Sequence, residues 1–168
     1  MYTKKPQVNC QDANMFALDF HDRKILSLLQ TDCSLSLAHL SDRIGLSQTP
    51  CWKRIKRMEE EGVIQRRVAM VDRKMLGYNV LAMVVVRTSQ HQERWLDDFI
   101  RNVKEIPEVL EFYRTAGNID YFLKVVMRSI DDYDVIYKKL IRIDGVFDIS
   151  AYFSIEEIKS GTMVPVTG

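Results

Sequence analysis

Apolar residues first settle into helical spacing after a polar leader, residues 1–15, which is read as a flexible tail. Residues 19–30 place Ile25, Leu28 and Leu29 on one face and predict a helix. Residues 34–43 predict a second, with Leu37, Leu40 and Ile44 at i, i+3 and i+7, stopped by Gly45, which takes the left-handed conformation other residues resist. Only residues 44–47 separate it from a third helix, for which Ser47 is a good N-cap, Pro50 falls in the first turn and Gly62 closes after Glu61. Two helices joined by a tight glycine turn make a helix-turn-helix. The segment VIQRRVAMVD that follows predicts a strand with a basic centre, Arg66 and Arg67, as in a wing or connector.

The pattern changes character at Leu76 and Gly77, after which six elements are predicted. Residues 80–86 form an apolar strand, and Leu96, Phe99, Ile100 and Val103 mark an amphipathic helix ending before Pro107. Strands over residues 109–115 and 119–128 are joined by Ala116, Gly117 and Asn118, and Tyr133, Ile136, Tyr137 and Leu140 mark another helix. The last strand alternates, with Phe147, Ile149, Ala151, Phe153 and Ile155 expected on the buried side. This βαββαβ order matches a ferredoxin-like domain. The expected class is α+β: tail 1–15, helix-turn-helix domain 16–63, connecting strand and linker 64–77, βαββαβ domain 78–160 and a C-terminal tail 161–168.

Charge sharpens this division. The chain carries a net charge of +1, yet residues 41–74 hold nine Lys/Arg against five Asp/Glu and residues 91–168 hold ten against fourteen. A basic module on an acidic carrier suits a polyanion-binding protein. The longest apolar run, seven residues, falls far short of the roughly 20 that span a bilayer, and no secretory apolar core of roughly 7 to 15 residues opens the chain, so a cytoplasmic protein is expected. Cys10, Cys33 and Cys51 have neither disulfide-framework nor CxxC spacing, and reduced thiols are expected. His21, His39 and His91 lack metal-ligand spacing, and no phosphate-binding or nucleophile motif occurs, so neither a metal, a cofactor nor catalysis is proposed.

The third helix carries the most chemistry. With Cys51, Ile55 and Met58 inward, the roughly 100° step per residue sends Thr49, Lys53, Lys56 and Arg57 to the opposite side and leaves Trp52 and Arg54 on the flanks. A neutral polar first turn (Ser47, Gln48, Thr49, Pro50) followed by cations suits the major groove of double-stranded DNA, with Arg66 added from the wing. The competing reading is a solvated face on which acid and base compensate. For Cys51, packing competes with a redox role; for Trp52, bracing competes with DNA contact. In the hairpin TAGNIDYFLKV, Gly117 exposes backbone amides, Asp120 adds a carboxylate, and Thr115 and Asn118 add neutral polar groups. The cluster could grip a zwitterion, or it could be a plain turn.

Two stretches resemble the Lrp/AsnC (feast/famine) family of transcriptional regulators over residues 18–165. One is LDFHDRKILSLLQTDCSLSLAHLSDRIGLSQTPCWKRIKRMEEEGVIQRRVAMVD, containing D-x-x-D-R-x-I-L, the S-x-x-x-L-[SA]-x-x-x-G-L-[ST] run, T-P-C and E-x-x-G-V-I in order; the other is EVLEFYRTAGNIDYFLKV. The resemblance implies a winged helix-turn-helix, a connecting strand and a βαββαβ effector domain that forms homodimers, which assemble to tetramers, octamers or higher. It implies an amino acid bound between dimers near the Gly-x-x-Asp turn, favouring Gly117, Asn118, Asp120 and Tyr121, with Thr115 and Ser150 or Ser154 as neighbours. The TPCWKR stretch resembles the DecR-like, cysteine-responsive branch, which makes cysteine a candidate effector. An architectural DNA-binding protein without an effector is the alternative.

Overall fold

A computed structural model describes residues 16–90 and 92–166. The tail over residues 1–15, with Cys10, and His91 lie outside the described residues. Nine elements follow in order: α1 (Phe20–Thr31), α2 (Leu37–Ile44), α3 (Gln48–Glu60), β1 (Val80–Thr88), α4 (Glu93–Lys104), β2 (Val109–Arg114), β3 (Tyr121–Met127), α5 (Asp132–Ile141) and β4 (Val146–Phe153). They divide into two compact units, one built from residues up to Ala69 together with the segment from Ser160, the other from Met70–Lys159.

In the first unit α1 starts at a capping box: Asp22 N–H donates to Asp19 Oδ1 (2.9 Å) and Asp19 N–H to Asp22 Oδ2 (3.2 Å). The second helix begins at Leu37, later than the predicted residue 34. The Asp32 carboxylate takes both the Ser34 N–H (2.9 Å) and its hydroxyl (2.6 Å), holding that stretch in a turn, and Ser36 becomes the cap through His39 N–H (3.2 Å). Gly45 closes α2 at φ 75°. Ile25, Leu26, Leu40, Ile44, Cys51, Ile55 and Met58 form the trihelical core.

The expected strand over residues 63–72 is absent. Val63 and Ile64 pack on the trihelical core, and Ile64 N–H donates to Met58 O (2.9 Å), but residues 65–72 have no regular structure. A strand needs a neighbour for its N–H and C=O groups, and no strand among the described residues pairs there; Val68, Met70 and Val71 are exposed. Residues 160–166 also belong to this unit. The Gln30 side-chain amide donates to Val164 O (3.0 Å) and accepts from Val164 N–H (2.7 Å), and Val166 packs against the core.

The second unit is one antiparallel sheet in the order β2-β3-β1-β4. Its alternation is explicit in the central strands: Ala82, Val84 and Val86 of β1 and Leu123, Val125 and Met127 of β3 are buried against Phe99 and Val103 of α4 and Ile136 and Leu140 of α5. Both helices thus cover one face. On the other face Met83, Val85, Phe122, Tyr113 and Tyr152 are covered only partly or not at all.

The clean burial expected of β4 fails at both ends. Ile149 and Ala151 do pack on the core, whereas Phe147 is 62% exposed and Ile155 fully so. β4 is an edge strand whose pairing with β1 shifts register between Arg87 and Thr88, which leaves Phe147 with no residue opposite it, and it ends at Phe153, opposite Ala82, before Ile155. Among the described residues, no helix is long and apolar enough to cross a membrane.

Candidate functional site

Ser47 has the extended backbone of an N-cap (φ −72°, ψ 161°), but its hydroxyl makes no capping bond. Ser47, Gln48 and Thr49 are exposed at the leading end of α3, with Pro50 half-buried. Cys51, Ile55 and Met58 are buried as the helical period requires, so Lys53 and Lys56 point away from the core. Burial raises the Cys51 thiol pKa, which keeps it protonated. Lys56 stands 5.1 Å from the centre of the Trp52 ring and 3.7 Å from Glu60, and Trp52 is half exposed. Arg66 is exposed in the segment after α3, while its neighbour Arg67 pairs with Glu59 at 2.9 Å.

The arginines of α3 are placed differently from the lysines. Asp22 of α1 is 0% exposed, and its two carboxylate oxygens receive Arg54 Nη1 (2.9 Å) and Arg57 Nη2 (2.6 Å). Arg54 Nη1 also reaches Asp19 Oδ2 at 2.5 Å, and the Arg57 guanidinium lies 5.0 Å from the Phe16 ring centre. The backbone N–H of Asp22, and then Arg54, hold the Asp19 carboxyl down at about 2, below its ordinary 3.8. Arg57, expected to face outward, and Arg54, expected on the flank, are therefore both moored to α1. Sequence reasoning missed Asp22 as their anchor; the signal was a second carboxylate three residues after the cap, a capping-box spacing that also sets the side chain over α3.

The hairpin brings a second group together. Asp120 N–H donates to Val86 O (3.1 Å), and Asp120 Oδ2 accepts from Thr88 N–H (2.8 Å), so the carboxylate clamps the end of β1. Thr115 closes the loop through its N–H to Asp120 O (2.9 Å) and its hydroxyl to Ile119 O (2.6 Å). Gly117 sits at φ 143°, which a side chain would resist. The N–H groups of Ala116, Gly117 and Asn118 have no acceptor among the described residues. Ser150 pairs opposite Val85, one β1 residue from Val86, and so lies at this end of the sheet. Ser154 does not: its N–H bonds Leu81 O, about 17 Å back along β1 at the usual strand rise. Tyr121 is buried against Phe99 and Phe112 and anchors the hairpin in the core rather than lining a surface.

A winged helix-turn-helix DNA-binding model matches residues 18–65, and an Lrp/AsnC ligand binding domain model matches residues 81–164. The chain belongs to the Lrp/AsnC family of transcriptional regulators. It is 46% identical to the glutamate uptake regulatory protein of Zymomonas mobilis over 149 residues, 89% of this chain and 91% of that one. It is 41% identical to the DNA-binding transcriptional activator DecR of Escherichia coli over 150 residues, 89% of this chain and 99% of that one. A transcriptional regulator from Neisseria meningitidis, solved as an L-Met complex, superposes with a TM-score of 0.84 at 29% identity, covering 89% of this chain and 97% of the other. In this Lrp/AsnC chain the two candidate clusters, on α3 and at the hairpin, thus fall one in each matched domain. Among the described residues, no cluster of His, Cys, Asp and Glu could hold a metal.

Proposed function

We propose that this regulator binds specific double-stranded DNA sequences through α3 and that a small molecule, an amino acid, shifts its assembly or its DNA binding from the hairpin around Gly117. The observation that carries the reading is the exposed series Thr49, Lys53 and Lys56 on the side of α3 opposite its buried face, with Gln48 exposed at its leading end. The first turn meets base edges, and the later lysines, with Arg66, neutralise phosphates. Arg54 and Arg57, already paired with carboxylates of α1, fix the helix and present only part of their charge to DNA.

The protein acts in the cytoplasm as a homodimer that assembles further. The half-covered sheet face with Tyr113, Phe122 and Tyr152 offers an apolar surface for a second copy, and a second copy also supplies a neighbour for residues 65–72. At the hairpin, the free amides of Ala116, Gly117 and Asn118 suit a carboxylate, and Asp120, Thr115 and Ser150 suit an ammonium. Cysteine remains the candidate effector from the TPCWKR stretch, and the L-Met complex of the Neisseria relative supports an amino-acid ligand.

Fluorescence anisotropy with genomic fragments selected by this protein tests the DNA arm. Lys53→Ala should weaken binding and reduce the slope of log affinity against log salt by roughly one phosphate contact. Unchanged affinity with an unchanged slope contradicts the assignment of α3.

A further inference from the structure

The start of α1 sets the charge that α3 can offer to DNA. Arg54 and Arg57 bring two positive charges from α3, and Asp19 and Asp22 return two carboxylates from α1: Arg54 Nη1 bonds Asp19 Oδ2 (2.5 Å) and Asp22 Oδ1 (2.9 Å), and Arg57 Nη2 bonds Asp22 Oδ2 (2.6 Å). The four side chains form a neutral cluster. Its two acids differ in setting, since the Asp19 side chain is 51% exposed and that of Asp22 is 0% exposed.

Arg57 stands at the border of the DNA-facing side. It follows Lys53 by four residues, so the two side chains are neighbours on successive turns of α3, and 48% of the Arg57 side chain is exposed. The Phe16 ring, centred 5.0 Å from the guanidinium, holds it from a second direction. To reach a phosphate, Arg57 would have to leave one oxygen of a buried carboxylate without its cation, and that costs more than a solvent-exposed ion pair returns. The cluster therefore withholds charge from the DNA backbone. Attraction to phosphates acts on every sequence alike, whereas selectivity comes from base edges, so a cation held back lowers indiscriminate binding and leaves base contacts intact.

We propose that Asp22, supported by Asp19, is a specificity-determining positioning residue that touches no DNA: it withholds Arg57 from the phosphates and fixes α3, so that the first turn, Lys53 and Lys56 decide which sequences are bound. The inference rests on the reading of α3 as the DNA-binding helix. Asp22→Asn probes it directly. An amide has one acceptor oxygen where the carboxylate has two, and its NH2 group meets an arginine as donor against donor, so one guanidinium is released and the cluster gains a positive charge.

The test uses the full chain and fluorescence anisotropy over a range of salt, with a genomic fragment selected by this protein and a random-sequence duplex of equal length. For Asp22→Asn, affinity for the random duplex should rise and its slope of log affinity against log salt should steepen by roughly 0.9, one further phosphate contact. The ratio of selected to random affinity should fall about tenfold, as for the loss of one base contact. A purely structural role would instead weaken both duplexes in proportion and leave the ratio unchanged, and that result overturns the proposal. Should Asp22→Asn fail to fold, Asp19→Asn decides: asparagine still caps a helix, the exposed charge next to Arg54 is lost, and the ratio and slope should move in the same directions by less. An unchanged ratio and slope in Asp19→Asn then overturns the proposal. Lys53→Ala, measured on the same duplexes, separates the two levels of inference: if it weakens both duplexes while the acid variants leave the ratio alone, only this proposal falls, and if it too has no effect, the assignment of α3 falls with it.

Discussion

Asp22 is the side chain through which α1 holds α3. Fully buried, it is tolerable as an anion only because Arg54 and Arg57 meet both of its oxygens and Asp19 N–H completes the set. Asp22→Asn keeps the volume and removes the charge, so thermal or denaturant unfolding should show a loss of about 1–3 kcal/mol, as for other charge-assisted bonds. An unchanged midpoint would mean that the arginines are held by something else. The neighbouring Asp19 gives the pH signature. Its folded pKa of about 2 lies below the ordinary 3.8, so its stabilising contribution is complete above about pH 4 and is lost as pH falls through about 2. Melting temperatures followed from pH 5 to pH 2 should therefore fall less steeply in Asp19→Asn than in the parent. At this scale the outward placement of Lys53 and Lys56 followed from helical period alone, because it needs only the inward face. The mooring of Arg54 and Arg57 did not, because their partner lies 32 to 35 residues away in another helix.

Elements whose burial is one-sided and whose partners are adjacent were legible: the glycine turn before α3, the amphipathic helices, and the alternation of β1 and β3. Those that depend on distant or absent partners were not. The basic connector has strand-forming residues but no strand among the described residues pairs with it, and β4 is bulged at Phe147 and stops at Phe153, opposite Ala82, before reaching Ile155. The segment from Ser160 is short and patternless, yet it docks on α1 through Gln30, 134 residues from Val164. Such a contact leaves no periodicity to read. Gln30→Ala removes both amide bonds to Val164 and should destabilise the first unit by about 1 kcal/mol. Hydrogen exchange is the clearest check: amides of α1 should exchange faster, and those of α4 and α5 should be unaffected. Equal exchange in α1 would mean that the segment contributes nothing to that unit.

The whole chain combines a basic helix-turn-helix unit with an acidic ferredoxin-like unit, and the charge asymmetry visible in the sequence follows that division. Its hairpin was legible as a cluster, though with two misplacements: Ser154 belongs to the other end of the sheet, and Tyr121 to the core. Asp120 needs care as a probe because its carboxylate also holds Thr88, so Asp120→Asn, whose side-chain oxygen can still accept that N–H, is the informative change. An effector can alter DNA binding only by binding alternative assemblies with different affinity. The most direct test is therefore light scattering coupled to size exclusion, run with each of the twenty amino acids, with DNA binding repeated for any that acts. The account predicts that at least one amino acid changes the mass or the DNA affinity and that Asp120→Asn raises the concentration required. No change with any amino acid, or an unaltered response in Asp120→Asn, would contradict it.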